Sequence, residues 1–550
     1  MQKPEQCKGC PLYTRGEGFS RPEGSGHNGV LIIGESLGRE ERIDGLPFRP
    51  HAQAGSALER VFKLGGWDRQ DFRIWDIVAC QPPSNKLEGT EYGEAAIRHC
   101  KVHFDRVFNL HRNSLSNNVG NRISPVILAL GNLPVKVLTG VSGDAKRKES
   151  ISNLRGYPLP CTNYPGVFCV GSYHPSFIRR GNSNLFPALM DDIAKAIDIA
   201  RGAWTSYKGG KDFVKRSYQL SPSELEAQSF YYKVKDNSNL LLGVDIETEE
   251  SGSTDEDERE ELSSEIVQVQ FSLGKETAIA MPFQDGYVQT IKKILQLPNV
   301  KLGFNIWGFD APRLGAKNIA IQGLPHDLMW MFKHYQPNLP RNLQNVASYA
   351  RFPFPWKHLY GNDLAYYGCA DVDSLHYIME YLTTEMQNLG VWQGYLDHLY
   401  GYYPILLRGA ERGIPVDNTA RLQLKVDIET ERKQVFADLE SLIPIETRAV
   451  GPRKKDKETG IVTFGYKKAP PKLKALYDSY RVKRDLLLAK GKQVIDFRQY
   501  AAKHGYLVRA KKWTKLQPLK TSRDQLIRYI KWKREDLLRG NDERDTTNKG

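Results

Sequence analysis

The sequence predicts a multidomain α/β chain of 550 residues, in which a three-layer α/β domain and a second α/β domain precede a mainly helical segment. Short apolar runs alternate with helical stretches in residues 1–205 and again in residues 236–395. From about residue 398 the hydrophobic pattern is almost wholly helical. The last hundred residues hold 28 basic and 11 acidic side chains, whereas the first 450 carry a net charge of −3. Such a basic block favours a polyanionic partner, most often nucleic acid.

Composition limits the class of protein. Hydrophobic residues make up 40% of the chain and charged residues 26%, which is enough for several buried cores. No apolar run approaches the ~20 residues of a membrane span, and the first residues lack the apolar region of a signal peptide. Seven cysteines are too few for a disulfide scaffold of this length. We therefore expect a soluble, cytoplasmic protein with no membrane partner.

Four apolar runs predict the strands of the first domain, residues 1–205. These runs are residues 29–34, 73–79, 125–131 and 166–170. Helical patterns occupy residues 56–64 and 93–110, and a closing helix is expected over 186–203. The polar stretch 206–235 is interpreted as a linker.

Four cysteines in the first hundred residues predict a single metal site. Cys7 and Cys10 form a C-x2-C pair, Cys80 ends the second predicted strand, and Cys100 lies on the helix that follows. The ligand count suits zinc or a [4Fe–4S] cluster, and the spacing alone does not choose between them. The remaining cysteines are interpreted as ordinary buried thiols.

Three motifs near these cysteines resemble the family 4 uracil-DNA glycosylases. They are the segment from Gly34 to Leu58 that contains Gly-Glu-Ser-Leu-Gly, the segment Cys80–Lys86, and the segment Ser172–Arg180. The resemblance covers about residues 5–200. It implies one [4Fe–4S] cluster, whose ligands would be Cys7, Cys10, Cys80 and Cys100.

The same resemblance implies a pocket for a base flipped out of the duplex. By position, Phe48 would be the aromatic platform, Asp76 the reader of the pyrimidine edge, and His174 the donor to charge developing at O2. Glu35 lies at the turn where the water would be held. The family has an asparagine at the position of Asp76, and a carboxylate offers only acceptors unless burial keeps it protonated. The domain is therefore expected either to excise uracil or only to bind or scaffold DNA.

Three ordered motifs in the second domain carry carboxylates. Asp245 and Glu247 are two apart on a predicted strand, so both side chains face the same side. Asp310 follows a predicted strand at the start of a helix. Tyr367 and Asp371 are four apart on a helix and share a face. Oxygen ligands that converge in this way suit a pair of divalent metal ions.

This order, Asp-x-Glu, then Asn-x3-Phe-Asp, then Tyr-x3-Asp, resembles the DEDDy 3′–5′ exonucleases of the DnaQ-like superfamily over residues 236–395. The resemblance implies a ribonuclease H-like fold and two Mg²⁺ or Mn²⁺ ions. Their ligands would be Asp245, Glu247, Asp310 and Asp371. Tyr367 would orient the attacking water, and Asn305 and Phe309 would position the strand end.

The segment 396–550 begins with residues that resemble the start of the polymerase region in family A DNA polymerases. The resemblance rests on a helix followed by Gly413-Ile-Pro-Val-Asp417, where Gly413 would end one helix and Asp417 would cap the next. The basic stretches 472–492 and 522–539 would grip duplex phosphates as a thumb does. No palm or fingers motif follows residue 418, so the chain alone is not expected to synthesise DNA.

Together, the resemblances predict the N-terminal part of a phage-type family A DNA polymerase, in the cytoplasm of a bacterial host. Its activity would be proofreading on DNA 3′ ends, in single strands and primer-templates, with palm and fingers from a separate polypeptide or a longer chain. Three alternatives stay open. These are an active uracil-DNA glycosylase–exonuclease for repair, a non-catalytic DNA-binding subunit that recruits a polymerase, and an RNase D-like exonuclease acting on RNA.

Overall fold

The computed structural model describes residues 3–116, 123–141, 150–202, 216–249, 265–359 and 363–442, together with short stretches between 449 and 516. The chain forms two compact units, Met1–Glu411 and Arg412–Gly550. The first unit contains both predicted α/β domains. In the part of the chain that is described, no helix is both long and apolar enough to cross a bilayer.

The first domain is built on a five-stranded sheet. Its strands are β1 Val30–Ser36, β2 Arg73–Val78, β3 Val126–Leu130, β4 Pro158–Pro160 and β5 Phe168–Ser172. The order is β2-β1-β3-β5-β4, with only β4 antiparallel to its neighbour. The four predicted strands are confirmed. The sequence did not reveal β4, because a three-residue edge strand with two prolines carries no strand signal.

Helices cover both faces of this sheet. They are α1 Leu12–Arg15, α2 Gln53–Gly65, α3 Gly93–Ser116, α4 Asn132–Thr139, α5 Ile151–Leu154, α6 Pro175–Arg179 and α7 Phe186–Ala200. Along β1, Val30 and Ile32 belong to one hydrophobic core, whereas Leu31 and Ile33 belong to another. A strand whose alternate side chains enter two cores is buried on both sides, which confirms the three-layer arrangement.

The second domain is built on a six-stranded sheet. Its strands are β6 Ser217–Gln219, β7 Leu242–Thr248, β8 Ile266–Ser272, β9 Thr277–Pro282, β10 Lys301–Gly303 and β11 His326–Asp327. The order is β11-β10-β7-β8-β9-β6; β7, β8 and β9 are antiparallel, and β10 and β11 run parallel to β7. This is the expected ribonuclease H-like sheet.

The helices of this domain lie between and after its strands. They are α8 Glu224–Asp236, α9 Val288–Leu295, α10 Asp310–Ala316, α11 Leu328–Tyr335, α12 Leu343–Tyr349, α13 Leu364–Asn388 and α14 Trp392–Asp397, with a π-helical turn at His398–Tyr402 and α15 at Tyr403–Arg412. The structure differs from the predicted linker 206–235, since β6 pairs with β9 at the sheet edge and α8 follows it. Ser223 and Glu226 form a capping box that begins α8, a local signal that the polar composition of this stretch obscured.

The two α/β domains share one hydrophobic core. The cluster that contains Val30 and Leu189 of the first domain also contains Val346, Phe352 and Val372 of the second. Helix α12 packs against α5 across this junction. The residues 3–411 that are described therefore form a single packed body around two sheets.

The second unit contains α16, Asn418–Leu442, and five short strands. The strands are β12 Ala449–Val450, β13 Arg453–Lys455, β14 Val462–Phe464, β15 Tyr506–Arg509 and β16 Lys512–Leu516. They form a three-stranded sheet, β12-β16-β15, and a β13-β14 hairpin. Helix α16 agrees with the predicted helical segment, and the short strands were not predicted because such runs do not show a clear two-residue period.

Two local predictions at the start of this segment agree with the structure. Gly413 has a φ of +66° directly after α15, and the Asp417 carboxylate accepts hydrogen bonds from the N–H groups of Thr419 and Ala420 at 2.9 and 3.0 Å. Most of the basic stretch 472–492 and all of the basic stretch 522–539 lie outside the described residues.

Candidate active site, base pocket and cysteine cluster

Three carboxylates of the second domain meet in one place. Asp245 and Glu247 point from the same face of β7, and Asp371 reaches them from α13. A carboxylate oxygen of each lies within 4.8 Å of the other two. Asp310, at the start of α10, stands beside this group and accepts a hydrogen bond from the N–H of Ile246 at 3.0 Å. The four carboxylates named from the sequence thus converge, with three of them forming the tightest set.

The electrostatics of this group suit a divalent cation. Burial, followed by the charges of Asp371, Glu247 and Asp310, raises the pKa of Asp245 well above its ordinary value. Burial also raises the pKa of Asp310, to which Asp327 and Glu247 contribute. Several carboxylates in one poorly solvated site repel one another, and a hard cation with oxygen ligands relieves that repulsion. The donor set therefore fits Mg²⁺ or Mn²⁺.

A half-buried lysine contacts one of these carboxylates, Asp371. Lys357 Nζ donates to Asp371 Oδ2 at 2.7 Å and to the Tyr367 hydroxyl at 2.5 Å. Trp356 Nε1 donates to the other oxygen, Asp371 Oδ1, at 2.5 Å. Despite the loss of solvent, the charge of Asp371 raises the pKa of Lys357, so the lysine is a cation. The sequence did not reveal these two residues, because they lie in an irregular segment without a periodic pattern.

The predicted positioning residues stand at the beginning of α10. Asn305 follows β10 with a φ of +61°, and Asp327 Oδ1 accepts a hydrogen bond from its N–H at 2.9 Å. The N–H of Phe309 donates to the carbonyl of Asn305 at 2.9 Å, and the Arg313 guanidinium lies 3.8 Å from the Phe309 ring centre. Both residues are half-buried, and Phe309 directly precedes Asp310.

The first domain has a cavity of about 710 Å³ at the carboxyl ends of its strands. It is lined by all four residues named for the base pocket, Glu35, Phe48, Asp76 and His174. Phe48 has a φ of +49°, and its ring centre lies 5.5 Å from that of His174. A Cβ at Gly34 would lie 2.5 Å from Asp76 Oδ1 and 2.7 Å from Phe48 Cζ, so only glycine allows these side chains to approach the turn.

Asp76 is 2% exposed, and its Oδ2 is buried with no hydrogen-bond partner among the residues that the structure describes. Burial, with smaller effects from the charges of Glu41 and Glu35, raises its pKa well above the ordinary value. Burial thus shifts Asp76 towards its neutral form, which offers one O–H donor and one carbonyl acceptor.

His174 is also neutral at physiological pH. Its Nδ1 accepts a hydrogen bond from the N–H of Ser176 at 3.2 Å, and loss of solvation in the pocket, with the charge of Arg180, lowers its pKa to about 4. A neutral ring whose Nδ1 accepts carries its proton on Nε2. His174 can thus donate a hydrogen bond from Nε2.

Glu41 is a pocket residue to which the sequence reasoning gave no role. Its carboxylate accepts a hydrogen bond from the N–H of Gly38, and the backbone N–H groups of Phe48 and Arg49 also bond to it. The buried Glu41 carboxylate therefore fixes the backbone of the loop that carries Phe48. An acid near the Gly-Glu-Ser-Leu-Gly turn was visible in the sequence, but nothing there indicated that it points inward.

The four cysteines predicted to bind a cluster lie close enough for their charges to affect one another. Burial raises the pKa of Cys80 to about 11 and that of Cys100 to about 12, and the charges of Cys7 and Cys10 contribute to both. Cys7 Sγ lies 3.2 Å from His103 Nε2, and the N–H of Ala79 donates to Cys100 Sγ at 3.2 Å. Buried thiols of this kind lose their protons only beside a cation, and hydrogen bonds to sulfur tune such a centre.

The first α/β domain, which contains this cavity, has relatives among known proteins. Residues 22–198 match the family model of the Uracil DNA glycosylase superfamily, and through this domain the chain belongs to that superfamily. It is similar to the type-4 uracil-DNA glycosylase of Thermotoga maritima, with 30% identity over 196 residues that cover 36% of this chain and 90% of that protein.

Two solved structures show weak similarity to this chain, each over part of its length. RNase D of Escherichia coli, described as an exoribonuclease involved in structured RNA processing, is 16% identical with a TM-score of 0.26, over 36% of this chain and 51% of that one. The POL domain of Pol1 from M. smegmatis, in complex with DNA primer-template and dNTP, is 14% identical with a TM-score of 0.32, over 48% of this chain and 45% of that one.

Proposed function

We propose that the chain is a Mg²⁺- or Mn²⁺-dependent 3′–5′ exonuclease that proofreads DNA as part of a family A polymerase. The observation that carries the proposal is the convergence of Asp245, Glu247 and Asp371, with Asp310 beside them. A module that only binds DNA has no need of a buried group of like charges. A separate polypeptide or a longer chain would supply palm and fingers.

The residues of the site have distinct roles in this proposal. Two bound divalent ions would activate water and stabilise the charge that develops as the 3′-terminal nucleotide leaves. The four carboxylates hold the ions. The Tyr367 hydroxyl, kept in place by Lys357, orients the water, and Asn305 and Phe309 position the strand end.

The test is a nuclease assay on a 5′-labelled DNA strand, alone and annealed as a primer with a 3′ mismatch, with an RNA strand of the same sequence in parallel. Asp245→Asn should abolish Mg²⁺-dependent shortening, while Asp285→Asn, a change of an exposed acid outside the site, should leave it intact. Equal shortening by Asp245→Asn would refute the proposal. Shortening of RNA alone would favour the RNA-processing alternative, and DNA binding without shortening would favour the non-catalytic subunit.

We also propose that Cys7, Cys10, Cys80 and Cys100 hold one [4Fe–4S] cluster. The support is a set of four cysteines whose charges affect one another, with hydrogen-bonding contacts at the sulfurs of Cys7 and Cys100, together with the similarity of this domain to type-4 uracil-DNA glycosylases. In the first domain the cluster would fix the N-terminal loop against β2 and α3. Its contribution is structural in this proposal.

A second candidate function is recognition of a flipped pyrimidine by the first domain. The supporting observation is the buried Oδ2 of Asp76, which points to a neutral acid. With its O–H donating to O4 and its carbonyl accepting from N3–H, a neutral Asp76 presents uracil with the same pattern as an asparagine amide. The Nε2–H of His174 would then face the charge that develops at O2 during excision.

Excision can be tested apart from the nuclease. A 5′-labelled duplex with one internal uracil and nuclease-resistant 3′ ends is incubated with protein in EDTA and then treated with alkali. Cleavage at uracil, lost in His174→Ala, would establish an active glycosylase. An intact strand that is nevertheless bound more tightly than the uracil-free duplex would make the domain a base-sensing module, and equal binding would leave it a DNA-binding scaffold.

A further inference from the structure

Gln344 lies at the junction of the two α/β domains and contacts both. It belongs to α12 and is 1% exposed. Its side-chain Nε2 donates a hydrogen bond to the carbonyl of Asn153 in the first domain. The hydroxyl of Tyr157, also in the first domain, donates to the Gln344 carbonyl. The residue is therefore bound to the first domain through its side chain and its backbone.

The other end of the same amide holds a different segment. Gln344 Oε1 accepts hydrogen bonds from two consecutive backbone N–H groups, that of Trp356 at 2.9 Å and that of Lys357 at 2.7 Å. Two consecutive amides bound to one oxygen fix both the position and the orientation of the backbone there. The primary amide is needed for this arrangement, since it combines a donor for one domain with an acceptor for the other.

The two residues held in this way are the ones that hold Asp371. Trp356 Nε1 donates to Asp371 Oδ1 at 2.5 Å, and Lys357 Nζ donates to Asp371 Oδ2 at 2.7 Å. Lys357 also reaches the Tyr367 hydroxyl at 2.5 Å. A continuous chain of buried and partly buried hydrogen bonds thus runs from the backbone of the first domain, through Gln344, to a carboxylate of the acidic group.

We propose that Gln344 is a positioning residue of the exonuclease site, through which the glycosylase-like domain sets the orientation of Asp371. The inference rests on the proposed exonuclease function, but it assigns the first domain a role that is independent of base recognition. Partners that orient a metal-binding carboxylate from behind contribute strongly to metal affinity, because a free carboxylate must be ordered when the ion binds.

The test uses the full chain and three variants. Gln344→Leu removes the donor and the acceptor. Gln344→Glu keeps the size and an acceptor for the two amides, but it places a second acceptor against the Asn153 carbonyl. Asn184→Ala is the matched control, because it removes an exposed hydrogen bond between the same two domains, from Asn184 Nδ2 to the Asn338 carbonyl at 2.8 Å.

The primary measurement is Mn²⁺ binding in the absence of DNA, followed by electron paramagnetic resonance. Gln344→Leu should weaken Mn²⁺ binding by about 10–100-fold, the range typical when a residue that orients a metal ligand is changed. Gln344→Glu should weaken Mn²⁺ binding less. With a single-stranded DNA substrate, the kcat of the Gln344 variants should fall, while their KM stays within about twofold of the wild-type value, since the DNA-binding surface is unchanged. Asn184→Ala should match the wild type in all three quantities.

The outcomes separate the inference from the function on which it rests. Wild-type Mn²⁺ affinity in the Gln344 variants, even with a lower free energy of unfolding, would mean that Gln344 only joins the domains and would overturn the inference. If Gln344→Leu does not fold, Gln344→Glu decides on the same criterion. A wild-type chain that binds no Mn²⁺ would instead refute the proposed exonuclease.

Discussion

Replacing Arg155 with methionine should destabilise the first unit of the chain severely. The Arg155 guanidinium is 0% exposed and makes a bidentate pair with Asp192, at 3.0 Å from Nε and 2.5 Å from Nη2. Its Nη1 donates to Asn345 Oδ1 of the second domain at 2.9 Å. Methionine fills much of the same volume, so the change removes charge and hydrogen bonds with little effect on packing.

The magnitude follows from what the change leaves behind. Asp192 would stay fully buried, with the Ser172 hydroxyl at 2.6 Å and the more distant Lys195 ammonium at 3.9 Å as partners. Removing one member of a buried ion pair costs about 3–5 kcal/mol, most of it from the charge left unpaired. Replacing both members, in Arg155→Met with Asp192→Asn, removes the unpaired charge and should therefore cost less than Arg155→Met alone.

The assay is urea unfolding of the full chain, followed by far-ultraviolet circular dichroism. We expect the free energy of unfolding to fall by about 3–5 kcal/mol in Arg155→Met and by less in the double variant. A change in Arg155→Met below about 1 kcal/mol, the value of an exposed pair, would refute the assignment of this network as a buried junction. So would strictly additive effects of the two substitutions, because residues in one network should couple.

Three further predictions concern the sites. The pKa of Asp76 is raised in the folded state, so the native chain keeps a proton that the unfolded chain releases above about pH 4, and the resulting stabilisation is lost as pH rises. Asp76→Asn has no such loss, so its free energy of unfolding in urea, relative to that of the wild type, should increase from pH 5 to pH 8. A difference in free energy between the two proteins that does not change with pH would contradict a raised pKa of Asp76. Lys357→Met should lower the melting temperature without metal, because the carboxylates lose the ammonium that partly neutralises them. Mg²⁺ at 100 times its Kd should then restore about 2.7 kcal/mol of stability. An equal loss of stability with and without Mg²⁺, measured by calorimetry, would argue against this role of Lys357. Cys100→Ser should reduce bound iron, acid-labile sulfide and visible absorbance, whereas Cys161→Ser should retain them, and equal iron content in both would exclude Cys100 as a ligand.

The sequence predicted the parts of the site that depend on local spacing. Asp245 and Glu247 share a strand face, and Tyr367 and Asp371 share a helix face, because the periods of the two structures require it. The resemblance to the glycosylase family, rather than spacing, identified Asp76 as a departure from an amide. The raised pKa of Asp76, however, depends on its burial and on the charge of Glu41, and neither is a local property.

Residues that act across long sequence separations could not be predicted in this way. Gln344 is 191 residues from Asn153, and Lys357 lies in a segment with no period that would place it beside Asp371. The strand and the helix within residues 217–236 could not be predicted, because both are polar and the strand lies at the edge of its sheet. In each case tertiary packing, rather than local preference, decides the structure.

The long separation at the Arg155 network has a consequence for synthesis on the ribosome. Asn345, its partner in the second domain, is 190 residues further along the chain. At a translation rate of about 5–20 residues per second, the first domain waits roughly 10–40 s before this partner has been made. During that interval the nascent chain presents an unfinished, charged surface, and a chaperone that shields it would be expected to raise the yield of native protein.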